Sequence, residues 1–251
     1  MATPLKSLKW YRQLAERKVR LEAGVFIVEG EKAIRQIVIS HPEAITEIVS
    51  VEKPPSVFKD YPIHTVTESQ FRYISSTQTP QGIMAVVKFP ADIYSSKIPE
   101  DTGKRILLLE DIQDPGNTGT LIRTAAAFNY NGVIFTENGA DPLAPKCVQA
   151  TAGTILSLWL RRTGQYLEML RVLKQQGYTI IAADVRGSDE PMVLPKQEKL
   201  ILALGNEATG LSKELLGIAD YRVRIPTASD KAESLNVAAC GAILMYLSVG
   251  K

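Results

Sequence analysis

Leu107–Phe128 reads LLLEDIQDPGNTGTLIRTAAAF. An aliphatic run, Ile106–Leu109, ends in two acids, passes a Pro-Gly turn and enters a stretch with helical spacing. A strand buried on both faces reads as a continuous apolar run, so this is the strand–loop–helix unit of a parallel α/β sheet. On the helix, expected over Asn117–Phe128, Leu121, Ile122, Ala125 and Phe128 share one side. Thr120, Arg123 and Ala127 take the other, with Asn117 near them at the helix start. Ligands of open parallel sheets bind beyond the carboxyl ends of the strands. An amide and a guanidinium close to a helix N-terminus therefore point to an anionic ligand. The plainer alternative is that Asn117 caps the helix and Arg123 is a solvated charge. The loop has neither G-x-G-x-x-G spacing nor a Walker Lys-Ser/Thr, which disfavours a dinucleotide or P-loop site.

The same texture continues downstream. Val133–Phe135, Thr179–Ala183 and Leu200–Leu204 read as buried strands, with helices over Pro145–Ala152, Tyr166–Gln176 and Leu211–Leu216. A second strand–loop–helix unit is Leu202–Ser212, LALGNEATGLS. Gly205 and Gly210 permit positive φ or close approach of a ligand, Glu207 can bind a hydroxyl or cation or be a turn acid, and Ser212 can cap the helix. A third chemical stretch closes the chain, IPTASDKAESLNVAACGAILMYLSVGK over Ile225–Lys251. Pro226 forces a turn. Val237, Ala238, Gly241, Leu244, Met245 and Leu247 then form a helical apolar stripe, and the small residues Ala238–Ala242 require a neighbour packed very close.

Upstream, the first ~90 residues alternate short helices and strands, as in a small α/β domain. Leu5–Arg20 reads as one amphipathic helix with Leu8, Tyr11, Ala15 and Val19 on one face and many basic residues on the rest. Strands are expected at Phe26–Val28, Glu47–Val51 and Gly82–Phe89, and helices at Glu31–Ser40 and Val66–Ser75, the latter opened by Thr67. Residues 91–104, polar and broken by Pro99 and Gly103, read as a linker. The domains expected are therefore 1–90 and 105–251.

Hydrophobic residues make up 45% of the 251 and charged residues 22%, enough for a real core. Cys147 and Cys240 stand far apart, which argues against a disulfide framework and for a reducing compartment. His41 and His64 make no metal pattern with them, and no metal is expected. A net charge of +2 allows a nucleic-acid partner only if the positive charge is clustered. With no signal-peptide core and no membrane-length apolar run, a cytoplasmic protein is expected.

Three ordered motifs over ~130 residues carry a resemblance. Asn117-x-Gly119-x-x-Ile122-Arg123-x-Ala125 is the first. Gly205-x-Glu207-x-x-Gly210-Leu211-Ser212 is the second. Ile225-Pro226 followed by Glu233-Ser234-Leu235-Asn236-Val237-Ala238 is the third. They resemble the SpoU (TrmH) family of S-adenosylmethionine-dependent RNA ribose 2′-O-methyltransferases, in the SPOUT superfamily. The run Arg20-x-x-x-Gly24-x-Phe26-Ile27-Val28-Glu29-Gly30 is similar to that family's N-terminal, L30e-like substrate-binding domain. The loop Thr227–Ala232 departs from the family pattern, being one residue longer and lacking glycine.

The resemblance implies an α/β-knot domain, with a mostly parallel sheet and a deep trefoil knot, behind a small L30e-like α/β domain. It implies S-adenosylmethionine held in the knot at Gly205, Glu207, Ile225 and Leu235. Asn117, Arg123, Ser234 and Asn236 are expected at the catalytic centre. Arg123 clamps phosphate and stabilises the developing alkoxide, because its pKa is too high for a base. The asparagines orient groups, Ser234 bonds near the ribose or phosphate, and Glu207 also holds its motif together. Lys9, Arg12, Arg17 and Arg20 are expected to bind RNA, and the chain is expected to form a homodimer. Ribosomal RNA is preferred over tRNA because the family's best-known tRNA enzymes lack the extra domain. The alternatives are a tRNA methyltransferase or a non-catalytic RNA-binding protein on the same fold.

Overall fold

The single helix expected over Leu5–Arg20 is two short ones. The structure, a computed structural model, describes residues 5–90, 92–228 and 234–249. Helix α1 (Leu8–Gln13) is capped by Ser7, and α2 (Arg17–Ala23) begins after a break at Leu14–Glu16 and ends on Gly24 at φ 66°. A broken helix leaves carbonyls without partners. Arg20 supplies them: its Nη1 donates to Leu14 O at 2.9 Å and Ala15 O at 2.6 Å, and its Nη2 to Asp141 at 2.6 Å. Tyr11 and Leu14 are both buried in the core.

Next come β1 (Val25–Glu29), α3 (Glu31–Ser40), β2 (Ile45–Ser50), β3 (Ile63–Thr65), α4 (Glu68–Ile74) and β4 (Ile83–Lys88). They form a mixed four-stranded sheet in the order β1-β4-β2-β3, with only β2 and β3 parallel. Thr67 opens α4 as expected, in a capping box with Gln70.

The chain continues through β5 (Arg105–Leu109), α5 (Pro115–Ala127) and β6 (Gly132–Phe135), then α6 (Pro145–Ala150) and β7 (Trp159–Arg162). After them come α7 (Tyr166–Gln175), β8 (Thr179–Ala183), β9 (Leu200–Leu204), α8 (Lys213–Ile218), β10 (Tyr221–Val223) and α9 (Val237–Ser248). The second sheet, order β10-β8-β9-β5-β6-β7, is parallel throughout. The chain builds outward from β5 to β7, then crosses to lay down β8, β9 and β10 on the other side. Loops leaving the carboxyl ends of β5 and β9 therefore lie side by side, where such sheets bind ligands. Gly241 explains the small residues of α9. A Cβ there would stand 2.4 Å from Leu121 of α5 and 2.7 Å from Leu204 of β9.

Two boundaries differ from the sequence reading. Residues 141–156 group with residues 1–90 as one compact unit, and residues 91–140 with 157–251 as the other. In the first unit α6 packs on β1, and Gly153 passes so close to α3 that a Cβ would meet Ala33 O at 2.3 Å. Residues 91–104 belong to the second unit and are stitched to it. Arg161 Nε donates to Lys97 O at 2.7 Å, Arg162 N to Ile93 O at 2.6 Å, and Trp159 Nε1 to Thr102 O at 3.2 Å. Among the described residues no helix is long and apolar enough to cross a membrane.

Candidate active site

The site is built from three loops at the carboxyl edge of the parallel sheet. Helix α5 is capped by Asp114, whose carboxylate accepts from Asn117 N at 2.8 Å, with Pro115 in its first turn. Asn117 is thus not the cap, and its side chain is free to face outward. Asn236, by contrast, does cap a helix. Its Oδ1 accepts from Ala238 N at 2.9 Å and Ala239 N at 3.3 Å at the start of α9. Its remaining Nδ2 donates to Asn117 Oδ1 at 3.2 Å, and Asn117 Nδ2 donates to Glu207 Oε1 at 3.0 Å. The three motifs meet in this one donor chain. The cap fixes Asn236, Asn236 fixes the orientation of Asn117, and the carboxylate of Glu207 accepts the last hydrogen bond.

Glu207 stands on a loop that folds tightly on itself. Gly210 N donates to Asn206 O at 2.9 Å, and Asn206 Oδ1 accepts from Ala208 N and Thr209 N. Gly205 is required by this turn: its Cβ would stand 2.4 Å from Gly210 C and 2.5 Å from Leu211 N. Asn206 Nδ2 ties the loop to Asp111 O at 2.9 Å. Below it, Glu110 is 4% exposed. Its carboxylate accepts from Tyr166 OH at 2.5 Å, Ser212 Oγ at 2.7 Å and Ser212 N at 2.7 Å, locking the second motif onto β5. Burial, followed by the Glu110 carboxylate, pushes the Tyr166 hydroxyl up to about 12, so it stays a donor. The motif reading missed Glu110 and Asn206. An acid terminating the aliphatic run Ile106–Leu109 was the available signal.

Beside this network lies a cavity of about 360 Å³. Its apolar wall includes Ile225, Leu235, Leu244 and Cys240, and Ser234 and Asp184 also line it. Burial pushes the Cys240 thiol up to about 11, so near neutral pH it is a small apolar surface. Asp184 follows β8. Burial acts to raise its carboxyl, but the Arg186 backbone N–H and the Arg222 guanidinium outweigh burial and hold it below the usual range. Arg222 Nη2 reaches it at 2.6 Å and Nε at 3.1 Å, fixing the cavity wall across β8 and β10. Ile225, Leu235 and Ser234 from the sequence reading therefore share this cavity, whereas Gly205 and Glu207 are not among its lining residues.

Arg123 is exposed on α5 and makes no hydrogen bond or ion pair among the described residues, while Leu121, Ile122 and Ala125 are buried. Glu233 and Ser229–Ala232 of the third motif lie outside the described residues. In the other unit Lys9, Arg12 and Arg17 are exposed. Arg12 lies 4.7 Å over the Tyr73 ring, and Arg17 Nε is 4.0 Å from Asp141. Arg20 is corrected: at 2% exposure and with its guanidinium held by the α1–α2 break and Asp141, it is a structural residue rather than an RNA contact. Among the described residues, no group of three or more His, Cys, Asp or Glu is placed to hold a metal.

Comparison with known proteins fits this arrangement. Residues 104–246 match the model of the SpoU rRNA Methylase family, and residues 6–85 that of the MRM3-like substrate binding domain. The chain is 28% identical to the 23S rRNA (guanosine(2553)-2′-O)-methyltransferase RlmP of Bacillus subtilis (strain 168), over 96% of this chain and 95% of that protein. It is 28% identical to a 23S rRNA (uridine(2479)-2′-O)-methyltransferase of Streptomyces viridochromogenes, over 96% and 88%. An AdoMet-bound rRNA methyltransferase from Sinorhizobium meliloti superposes with a TM-score of 0.82 at 26% identity, over 98% of this chain and 97% of that one.

Proposed function

Because the chain belongs to the SpoU rRNA methylase family, we propose that it transfers a methyl group from S-adenosylmethionine to a ribose 2′-hydroxyl of ribosomal RNA. The observation that carries the reading is the donor chain Asn236–Asn117–Glu207, which draws all three motif loops to one edge of the sheet beside a cavity. That cavity falls in the ~300–1,000 Å³ range of small-molecule sites. Its apolar wall, set among backbone groups at strand ends, fits a flat heterocycle with polar edges. Ile225, Leu235 and the Asp184 loop would hold the cofactor, and Gly205 acts by shaping the neighbouring turn.

The cofactor, when bound, supplies an electrophilic methyl group on a sulfonium. The chain's task is the nucleophile, since a ribose hydroxyl is a weak acid whose proton must leave as the bond forms; the phosphate that Arg123 clamps takes it. Arg123 takes the adjacent phosphate in a two-pronged clamp and stabilises the negative charge growing on the 2′-oxygen. Asn117, with its orientation fixed, presents its exposed edge to the ribose, and Ser234 hydrogen-bonds at the cavity mouth. The exposed cations Lys9, Arg12 and Arg17 of the N-terminal unit hold RNA phosphates. A homodimer is supported by Ile243 and Tyr246, large apolar side chains left exposed on α9. Gly241 of that helix is used up inside the fold, against α5 and β9. The enzyme acts in the cytoplasm, where its RNA resides.

The test is transfer of labelled methyl from S-adenosylmethionine to protein-free ribosomal RNA and to tRNA, with the product nucleotide mapped. Label in a 2′-O-methyl nucleotide of ribosomal RNA is expected. Label in tRNA alone, or on a base, would refute the proposal.

A further inference from the structure

The dipeptide that follows β5, Glu110–Asp111, holds the Gly205–Ser212 loop near both of its ends. At one end Asn206 Nδ2 donates to Asp111 O at 2.9 Å. At the other the Glu110 carboxylate accepts from Ser212 N and Ser212 Oγ, both at 2.7 Å. Ser212 Oγ in turn accepts from Leu215 N at 3.2 Å, so its single proton is committed to Glu110. Glu207 stands between the two clamps. It is exposed, and the hydrogen bond its side chain makes among the described residues is the one from Asn117 at 3.0 Å. The clamps, rather than packing of its own side chain, set where Glu207 sits.

Each clamp carries a cost. Glu110 is 4% exposed, and burying a carboxylate is unfavourable even where donors meet it. Asp111 stands at φ 55°, in the left-handed region that residues other than glycine enter only against strain. Its turn is braced from β6: Asp111 N donates to Thr136 Oγ1 at 2.8 Å, and Thr136 Oγ1 donates to the Asp111 carboxylate at 2.5 Å. Capping α8 needs only the Ser212 hydroxyl, so the buried charge beneath it serves something else. What convergent donors on one carboxylate supply is direction: Tyr166 OH, at 2.5 Å, fixes the carboxylate, and the carboxylate fixes Ser212.

We propose that Glu110 is a positioning residue for methyl transfer, acting through the Gly205–Ser212 loop to hold Glu207 where it orients Asn117. The proposal rests on the RNA-methyltransferase reading above and adds to it a buried residue outside the lining of the cofactor cavity. A displacement of about 1 Å in a positioned group costs up to about a hundredfold in rate.

The test is a double-mutant cycle on the full chain, read by single-turnover methylation of protein-free ribosomal RNA at saturating cofactor and RNA. Glu110→Gln keeps the size of the side chain but removes its charge and turns one acceptor into a donor. It is expected to lower the rate by about tenfold to a hundredfold. In a Glu207→Ala background, where Asn117 has lost this acceptor, it is expected to lower the rate no further, while the fall in melting temperature is the same in both backgrounds. Rate losses that multiply, or a wild-type rate in Glu110→Gln, overturn the proposal. If Glu110→Gln does not fold, Ser212→Ala takes its place in the cycle, and Ser212→Thr, which keeps the hydroxyl, restores the rate. The Asn117 side-chain amide resonance, identified by its loss in Asn117→Ala, is a readout that needs no turnover. It is expected to move in Glu110→Gln and in Glu207→Ala, and no further in the double variant; a resonance unmoved by Glu110→Gln overturns the proposal. A wild-type protein that methylates no RNA refutes the activity instead, and the amide resonance then decides the positioning.

Discussion

Replacing Asn236 separates two jobs done by one side chain. Its Oδ1 caps α9 and its Nδ2 positions Asn117. In Asn236→Ala both are lost. A cap is worth about 1 kcal/mol, and an exposed amide–amide bond lies at the low end of the usual range, about 0.5 kcal/mol. A loss of about 1.5 kcal/mol lowers the melting temperature by about 3–6 °C in a domain of this size. In Asn236→Asp the cap survives, and the negative charge suits the start of α9. The donor to Asn117, however, becomes an acceptor. Asn117 then faces carboxylates on both sides and can satisfy only one with its amide hydrogens. Asn236→Asp should therefore melt within about 1 °C of wild type, the cap being unchanged. It should still lose methyl transfer by on the order of a hundredfold, the scale of a misplaced catalytic group. Calorimetric melting together with single-turnover methylation at saturating cofactor and RNA measures both. Equal destabilisation by the two substitutions would refute the capping argument, and full turnover in Asn236→Asp would refute the positioning argument.

Arg123→Ala should fold and bind S-adenosylmethionine normally yet lose a hundredfold to a thousandfold in single-turnover rate. Lysine should rescue little, since it cannot reproduce the planar clamp; normal turnover in either variant removes Arg123 from the chemistry. Gly205→Val should destabilise the protein as well as abolish cofactor binding, because its side chain meets Gly210–Leu211 backbone; a stable variant that only binds cofactor weakly would move Gly205 into the cavity wall. Reversing Lys9, Arg12 and Arg17 together should flatten the salt dependence of RNA binding, with only a small fall in melting temperature from the lost contacts to Tyr73 and Asp141. Arg20→Ala should do the opposite, costing about 3–5 kcal/mol by removing a buried guanidinium from Asp141 and from the Leu14 and Ala15 carbonyls, with the salt slope unchanged; equal effects of the two on the salt slope would return Arg20 to the RNA surface.

The strands β5, β8 and β9 were legible because they are buried on both faces, so Ile106–Leu109, Thr179–Ala183 and Leu200–Leu204 carry no polar residue except at a terminus. β3, β7 and β10 were not. Each closes one edge of its sheet, is three or four residues long, and contains His or Arg; in β7 these are buried, because Arg161 and Arg162 bond backbone carbonyls of neighbouring segments. The break between α1 and α2 carries no Gly or Pro. It is held by Arg20, which reaches back to two carbonyls five and six residues earlier while its other nitrogen bonds distant Asp141, a pairing that helical spacing does not encode. The motifs identified Asn117, Glu207 and Asn236 one by one. That they bond to each other is a matter of strand order, since 90 and 119 residues separate the pairs in sequence. The signal for Glu110 was weak for a similar reason: an acid after a strand is ordinary until Ser212 and Tyr166 are seen to converge on it.

The detour of residues 141–156 into the N-terminal unit bears on how such a protein can be cut, shuffled or inherited. A protease or a recombination point within residues 91–104 severs only one of three chain crossings between the units. The downstream fragment keeps α6 and Ile155 without the β1 and α3 surfaces that bury them, and the upstream fragment keeps those surfaces bare. Neither half is then a clean cassette. A graft that exchanges the RNA-binding module between relatives must carry this interior segment along with residues 1–90, as a second, separate insert.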